Sequence, residues 1–381
     1  MIYLDNGATS FPKPKGMISA MEECILNYCG NPGRSGHNMS MKTGEEVYHA
    51  RRYVAELFNI EEADRLIFTK NTTEALNMGL YGFLERGSHV ITTSMEHNSV
   101  LRPLKALEKR GICHSIVSGN QKGEINPKDI EKAIKSNTKL IVVTAASNVT
   151  GTKMPLKEIG EIARKYKITF MVDGAQGAGS MDLDVQKLNI DMLAIPGHKG
   201  LLGPLGTGCL YVAPDLKIKP AQQGGTGTES KSRIQPEDFP EGFESGTINA
   251  PAIIGLGYSA KFVQKIGVDV IGKYEEDLIT YLDEQLLNMG FVSLYGPEAF
   301  KKTGISLINI DGMEAEEVTA TLNSKYDIAV RGGFHCAGLA HKTIGTWERG
   351  AVRISVGPFN TKRDMEKLVD ALWQIGSERN S

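Results

Sequence analysis

Cysteine is scarce in this chain and follows no pattern: five residues in 381, namely Cys24, Cys29, Cys113, Cys209 and Cys336, with no CxxC pair. An odd, scattered set argues against a disulfide framework and against a structural zinc site. Charge of one sign is also lacking. The formal net charge is −2, so there is no electrostatic footprint for nucleic acid or an anionic membrane surface. No apolar run reaches the length needed to span a bilayer. The start, Met1-Ile2-Tyr3-Leu4-Asp5-Asn6, lacks the basic stretch and apolar run of a signal peptide. No GxGxxG opens a helix after a strand, and neither GxxxxGK[ST] nor HExxH occurs, so nucleotide loops and zinc-protease chemistry have no support. There is no internal repeat and no low-complexity segment. These absences point to a cytoplasmic protein with free thiols, and no nucleic acid, membrane or metal is expected as a partner.

What is present is an apolar fraction of 41% and 42 glycines, which fits an α/β protein with many tight turns. The length accommodates a large domain and a smaller one. Residues 43–58 have helical periodicity, with Thr43 as the expected cap and Glu46 three positions later. Short β-rich runs then alternate with helical stretches: 66–69, 89–93, 139–144, 168–172, 191–195 and 209–212. Such runs suit strands buried on both faces of a mostly parallel sheet. A Gly/Thr-rich loop around 223–228 breaks the pattern, and a helix follows from Pro251 to about Lys265. Strands expected at 304–310, near 327–331 and at 351–356, with helices from Ala315 and Lys362, describe a small α+β domain.

The chemistry begins with Asp173, which closes an apolar strand and so lies at the carboxyl edge of the sheet, where ligands of open α/β sheets gather. Lys199 follows another strand, in Pro196-Gly197-His198-Lys199-Gly200. A lysine that forms a Schiff base and an aspartate that pairs with a pyridinium nitrogen are what pyridoxal phosphate requires. Gln176 is placed to reach the ring's phenolic oxygen. Thr72-Thr73 lies between a strand and a helix, where free N–H groups and hydroxyls can receive a phosphate; alone, the pair reads rather as a helix cap. His97 follows another strand end and can stack on a flat ring; alone, it reads as an ordinary loop histidine.

The order and spacing of these pieces resemble the cysteine desulfurase and selenocysteine lyase family, within the class V aminotransferase group of fold-type I enzymes. The resemblance runs through Tyr3-Leu4-Asp5-Asn6-Gly7-Ala8, Asn71-Thr72-Thr73-Glu74-Ala75, Glu96-His97-Asn98-Ser99, Ser147-Asn148-Val149-Thr150-Gly151, Asp173-Gly174-Ala175-Gln176, Gly197-His198-Lys199, Phe243-Glu244-Ser245-Gly246-Thr247 and Arg331-Gly332-Gly333-Phe334-His335-Cys336-Ala337. It implies a fold-type I transferase with a large domain over 16–255, a small C-terminal domain over 256–381 that carries a catalytic cysteine, and an N-terminal segment, 1–15, that joins the small domain. It also implies that His97 stacks on the pyridine ring, that Asn148 lies near the ring and the substrate carboxylate, and that His198 reaches the phosphate. Thr228 would reach the phosphate from a second subunit, making a homodimer the active unit. Ala8 falls beside the substrate. One position departs from the family: a serine often found three residues before the lysine is Pro196 here, which offers neither hydroxyl nor N–H.

Cys336 lies in a Gly-rich loop, and His335 and Arg331 are the local cations that would favour its thiolate. The resemblance makes it the acceptor of sulfur or selenium, in the short-loop manner of the second desulfurase group. The other four cysteines fall in helical or strand-like contexts and read as structural. Arg353 interrupts an apolar strand and so needs an anionic partner: a substrate carboxylate, as the resemblance implies, or a structural ion pair. His37 is a further candidate for the substrate pocket. The expected activity is conversion of L-cysteine to L-alanine with a persulfide on Cys336 and delivery to an acceptor protein. L-Selenocysteine is the alternative substrate. A C–S β-lyase or racemase, and a sulfur-delivery docking protein, stand as competing readings. Sulfur against selenium, the acceptor's identity and the pathway are not written in the sequence.

Overall fold

The computed structural model describes residues 1–33 and 35–380. Its strands are β1 (Ile2–Tyr3), β2 (Leu66–Thr69), β3 (His89–Thr93), β4 (Cys113–Val117), β5 (Thr138–Thr144), β6 (Thr169–Asp173), β7 (Met192–Pro196), β8 (Gly208–Val212), β9 (Val292–Tyr295), β10 (Ile305–Ile310), β11 (Ile328–Ala329), β12 (Arg331–Gly333) and β13 (Ala351–Ser355). Seven form the large sheet in the order β2-β8-β7-β6-β5-β3-β4. The pairs from β7 to β4 are parallel, and β8 runs antiparallel to both β7 and β2. The apolar runs are continuous because both faces are covered. Along β5, Ile141 and Val143 enter one core while Leu140 and Val142 enter the other, as period-two alternation requires.

The strand order reverses between β3 and β5, since β4 lies outside β3 and the chain then returns to β3's other side. Beyond the carboxyl ends of strands at such a point an open sheet leaves a crevice. His97 follows β3 and Asn148 follows β5, so these two side chains flank it.

The second sheet, β12-β13-β10-β9, is antiparallel. Helices Val268–Leu287 and Lys362–Asn380 contribute Leu278, Leu282, Leu368 and Leu372 to its core. β1 pairs in parallel with β11, which lays the N-terminal strand on this C-terminal unit. The boundary expected after residue 255 falls inside helix Ala250–Ile266, whose Ile253, Ile254, Leu256 and Ala260 belong to the large core. We propose that the division lies at Gly267, between that helix and the next.

The first long helix begins earlier than its periodicity indicates. It spans Asn38–Leu57 with His37 at the N-cap, where Nδ1 accepts from Ser40 N at 3.2 Å. Thr43 is not a cap. It is buried, its hydroxyl donates to Tyr28 O at 2.5 Å and lies 2.9 Å from Met39 O, and it accepts from Gly30 N at 3.1 Å. A preceding turn claims the hydroxyl, and local sequence carries no trace of that. Strands β4 and β9 were also not legible: β4 is a partly exposed edge strand, and β9 has no buried residue.

An ion pair ties the loop before helix Ala250–Ile266 to the large sheet. Arg51 Nη1 and Nη2 donate to the two Glu244 oxygens at 2.7 and 2.9 Å, Glu244 also accepts from Phe68 N at 2.6 Å, and Arg51 Nη1 donates to Leu66 O. Both side chains are less than one-tenth exposed. Removing one partner strands the other's charge, so Glu244→Ala should lower unfolding stability by about 3–5 kcal/mol. Urea denaturation measures this, and a loss under about 1 kcal/mol would mean that the pair is as replaceable as an exposed one.

Candidate active site

Five loops bring their side chains to the carboxyl edge of the large sheet. Asp173 ends β6 at 2% exposure. Its Oδ1 accepts from Ala175 N at 3.0 Å, and burial pushes its carboxyl above the ordinary range, opposed by that N–H and by Lys199. Lys199 follows β7, and no described residue hydrogen-bonds its amine. Burial, with the positive charge of Arg353, brings this amine down to about 8, while Asp173 acts in the opposite direction. About one part in ten of such an amine is neutral at pH 7, far more than of an ordinary lysine.

His97 caps helix Asn98–Leu107. Its Nδ1 accepts from the Ser99 backbone N–H at 3.0 Å, and an N–H can only donate, so the ring proton sits on Nε2. Ser99 Oγ lies 2.9 Å from the same Nδ1 and 2.7 Å from Thr73 Oγ1, joining the ring to the Thr72-Thr73 turn. Burial and the charges of Lys199, Arg331, Arg102 and Arg353 lower this imidazole to about 4. Behind it Glu96 is fully buried and accepts from Thr93 Oγ1 at 2.6 Å. Burial lifts its carboxyl to about 8, so it is a neutral acid at pH 7.

Among the described residues, the buried polar atoms without a partner include Thr72 Oγ1, His198 Nδ1, Asn148 Oδ1 and Arg353 Nε. An orphan buried group is expensive, and all four belong to the residues that follow the strand ends or to the strand that closes on them, where a bound molecule can supply partners. Thr72 opens helix Thr72–Phe83, with Asn71 capping through Glu74 N at 2.9 Å. A hydroxyl and free N–H groups at a helix N-terminus suit a phosphate. His198 follows β7, and its carbonyl accepts from Lys13 Nζ at 2.9 Å and Ser10 N at 3.0 Å. Gln176 Nε2 donates to Gly7 O at 2.9 Å. A phosphate cup, an acid at a strand end, a stacking ring and an available lysine fit the donor set of pyridoxal phosphate.

The small domain closes the site. Arg353 is 1% exposed. Nη2 donates to Asp5 Oδ1 at 2.8 Å and Nη1 to Asn148 O at 3.0 Å. Asp5 is thus the ion-pair partner that the sequence left unnamed, and Nε is still free. Gly7 passes beside this group: a Cβ there would sit 3.0 Å from Arg353 Cζ. Ala8, next in the chain, is in the turn closed by its N–H to Asp5 O at 3.0 Å. Arg331 is the residue directly opposite Arg353 across β12 and β13.

Cys336 is exposed and free. Its carbonyl accepts from Asn98 N at 2.8 Å, next to His97, and Arg331 Nη2 lies 4.0 Å from Sγ. His335 and Cys336 are both left-handed, with φ of 51° and 56°, a conformation that costs each of them roughly 1–2 kcal/mol. Arg331 is the cation at the sulfur; His335 is not. His335 is 2% exposed and faces away, its Nε2 3.1 Å from Arg331 O, and burial with the charge of Arg353 holds the ring far below its ordinary range.

Two expected residues stand outside this cluster. Thr228 is exposed, and its side chain bonds only within its own loop, 3.1 Å from Thr226 Oγ1. His37 is exposed at its helix cap. Of the other cysteines, Cys24 and Cys209 are buried, whereas Cys29 and Cys113 are exposed, so location in or beside regular structure did not imply burial. Asp5, Ser99, Glu96 and His341 were missed as site or supporting residues. Asp5 stood within the segment Tyr3-Leu4-Asp5-Asn6-Gly7-Ala8 that carries the family resemblance, but nothing local gave it a role. No helix of the described residues is long and apolar enough to cross a membrane.

The description of the aminotransferase class-V family matches residues 2–368. A probable cysteine desulfurase of Methanothermobacter thermautotrophicus is 35% identical over 381 residues, covering 98% of this chain and 94% of the relative. One from Pyrococcus abyssi is 35% identical over 384 residues, with the same coverage of each chain. The apo structure of a cysteine desulfurase from Thermococcus onnurineus NA1 superposes with a TM-score of 0.93 at 33% identity, over 99% of this chain and 95% of that one.

The depressed Lys199 amine has a direct signature. Labelling by trinitrobenzenesulfonate requires the neutral amine, which at pH 8 is about half of a group titrating near 8 but roughly one part in 300 of an ordinary lysine. Peptide-resolved labelling of cofactor-free protein should therefore rise with a midpoint near pH 8 at Lys199. A midpoint at pH 10 or above would mean that the amine is ordinary.

Proposed function

From a chain that belongs to the aminotransferase class-V family, we propose a pyridoxal-phosphate-dependent cysteine desulfurase that converts L-cysteine to L-alanine and keeps the sulfur as a persulfide on Cys336. One observation carries this reading beyond the family: an exposed thiol on a strained turn, beside the Arg331 guanidinium and bonded through its backbone to the residue after His97. Strain of this kind concentrates where a side chain must be aimed.

Thr72, Thr73 and His198 would hold the cofactor's phosphate, with His97 on one ring face, Gln176 at the phenolic oxygen and Asn148 beside the ring. Without a hydroxyl at Pro196 the phosphate leans on the first three. When bound, pyridoxal phosphate supplies an electron sink next to the amino acid's Cα. Asp173 holds a proton on the ring nitrogen. Lys199 carries the cofactor and then, as a free amine, takes the Cα proton. Arg353 grips the substrate carboxylate through its unpaired Nε edge, with Asn148, Ala8 and His37 around the same pocket.

Cys336 Sγ then attacks the substrate's sulfur. A sulfur–sulfur bond forms and the Cβ–S bond breaks; its electron pair stays with the carbon skeleton, and a proton completes the methyl group of alanine. Cysteine and one enzyme thiol become alanine and one enzyme persulfide, so no external oxidant or reductant enters. L-Selenocysteine is a further substrate on this reading, since its weaker carbon–selenium bond eases the same cleavage. The persulfide passes to an acceptor protein that offers a nucleophilic sulfur, in the cytoplasm.

The active unit on this reading is a homodimer. Ile18, Ile25, Leu26 and Leu205 line an apolar groove of about 520 Å³ and are all more than half exposed, the kind of surface a second copy covers. Thr228, bonded only within its own loop, then donates to the neighbour's phosphate. Thr228→Ala should weaken cofactor retention while the dimer persists in sedimentation. A fully active monomer would remove this part.

The central test is Cys336→Ser. The cofactor should bind with its usual absorbance, and cysteine should still change that absorbance. Alanine formation from cysteine should fall by two or more orders of magnitude, the scale seen when a nucleophile is lost. Mass spectrometry of the unaltered protein after brief exposure to cysteine should find one added sulfur on the Cys336 peptide. Alanine production by the serine variant at the full rate would instead favour a β-lyase.

A further inference from the structure

Behind the turn that carries Cys336 lies a chain of three buried polar side chains with no place in the chemistry above. His335 Nε2 is 3.1 Å from Arg331 O, His335 Nδ1 is 3.2 Å from His341 Nε2, and His341 Nδ1 is 2.8 Å from Thr346 Oγ1. The two imidazoles lie edge to edge and nearly coplanar, with centroids 5.4 Å apart and planes 16° apart, and both rings are buried.

The direction of every bond follows from one end. A carbonyl oxygen only accepts, so His335 Nε2 carries the proton and its Nδ1 must accept. His341 Nε2 therefore donates, His341 Nδ1 accepts, and the Thr346 hydroxyl donates to it. Burial lowers both rings, His341 to about 4, which keeps each as a single neutral tautomer. The chain thus links helix Gly338–Thr343 and the turn after it to the carbonyl of Arg331, whose guanidinium stands at the sulfur.

The turn needs such support. His335 and Cys336 are consecutive non-glycine residues in the left-handed region, which isolated backbone disfavours. From the front, Asn148 Nδ2 donates to His335 O at 2.7 Å and Asn98 N to Cys336 O. From the back, the His335 ring is held by His341 and the Arg331 carbonyl. We propose that His341 is a positioning residue for Cys336: through His335 it locks the left-handed turn that projects the thiol beside Arg331.

This rests on Cys336 as the sulfur acceptor, and the test separates the two ideas. The holoenzyme is prepared as His341→Leu, which removes the donor, as His341→Gln, whose amide can still donate to His335 Nδ1, and as Thr346→Val, which removes the far hydroxyl at nearly constant shape. Peptide-resolved alkylation by iodoacetamide reads Cys336, with exposed Cys113 as internal control. The leucine variant should change the Cys336 alkylation rate and lower kcat for alanine formation by roughly two- to tenfold, the shift produced by one lost hydrogen bond. KM for cysteine and the Cys113 rate should stay at their unaltered values. The valine variant should move the same way, and the glutamine variant should return to the starting values.

Unaltered Cys336 rates in the leucine and valine variants, or a glutamine variant as impaired as leucine, would overturn the proposal. If the leucine protein fails to fold by circular dichroism, the valine variant decides alone. If Cys336→Ser keeps making alanine, the acceptor reading fails, while Cys336 alkylation in the His341 variants still reports whether the turn is held.

Discussion

Two arginines face each other across antiparallel strands, Arg331 on β12 and Arg353 on β13, and much of the site is arranged around that opposition. Like charges directly across a sheet repel, and Arg353 is also removed from water, so the arrangement holds only where anions and carbonyls answer it. Asp5 answers from the N-terminal segment and the Asn148 carbonyl from the large domain. One buried guanidinium therefore binds three distant stretches of chain to one another, and a Cβ added at Gly7 would press on that group at 3.0 Å. The cationic surplus left over is what an amino-acid carboxylate and a nucleophilic sulfur can use.

Burial, with nearby positive charge added to it, sets the protonation of the neighbouring groups. His97, His198 and Lys199 all shift toward their neutral forms through burial and nearby positive charge. Neutral imidazoles have one donor and one acceptor each, so hydrogen-bond direction becomes definite, as it is at His97 and along His335–His341. On the acid side Glu96 is pushed up by burial and adds no charge beside Asp173. The carboxylate at the end of β6 is thus relieved of a competing anion behind the ring site.

The strand that ends in Asp173 and the strand before Lys199 were legible because burial on both faces writes an unbroken apolar run, after which a polar residue stands out. The helix starts at Thr72 and Ala315 were readable from local sequence for similar reasons. The failures share a different cause. Thr43 has the look of a cap, but its hydroxyl is spent on the carbonyl of Tyr28. Histidine beside a cysteine reads as an activating cation until its ring is seen turned inward to His341. The partner of Arg353 lies at the other end of the chain, and pattern and spacing carry no information across such a distance. Residues whose role depends on what folds against them stayed hidden, while those whose role depends on their own strand did not.

The pairing of β1 with β11 has a consequence for the protein's birth on the ribosome. Ile2 and Tyr3 leave the exit tunnel more than three hundred residues ahead of Ile328 and Ala329, the residues they pair with in the sheet. At roughly 5–20 residues per second, the nascent strand waits on the order of tens of seconds for its mate. Asp5 waits longer still, because Arg353 is made later. The large sheet can assemble in that interval, but β1 has to be left unclaimed until β11 has been made. A strand made early is thus among the last pieces of the fold to find its seat.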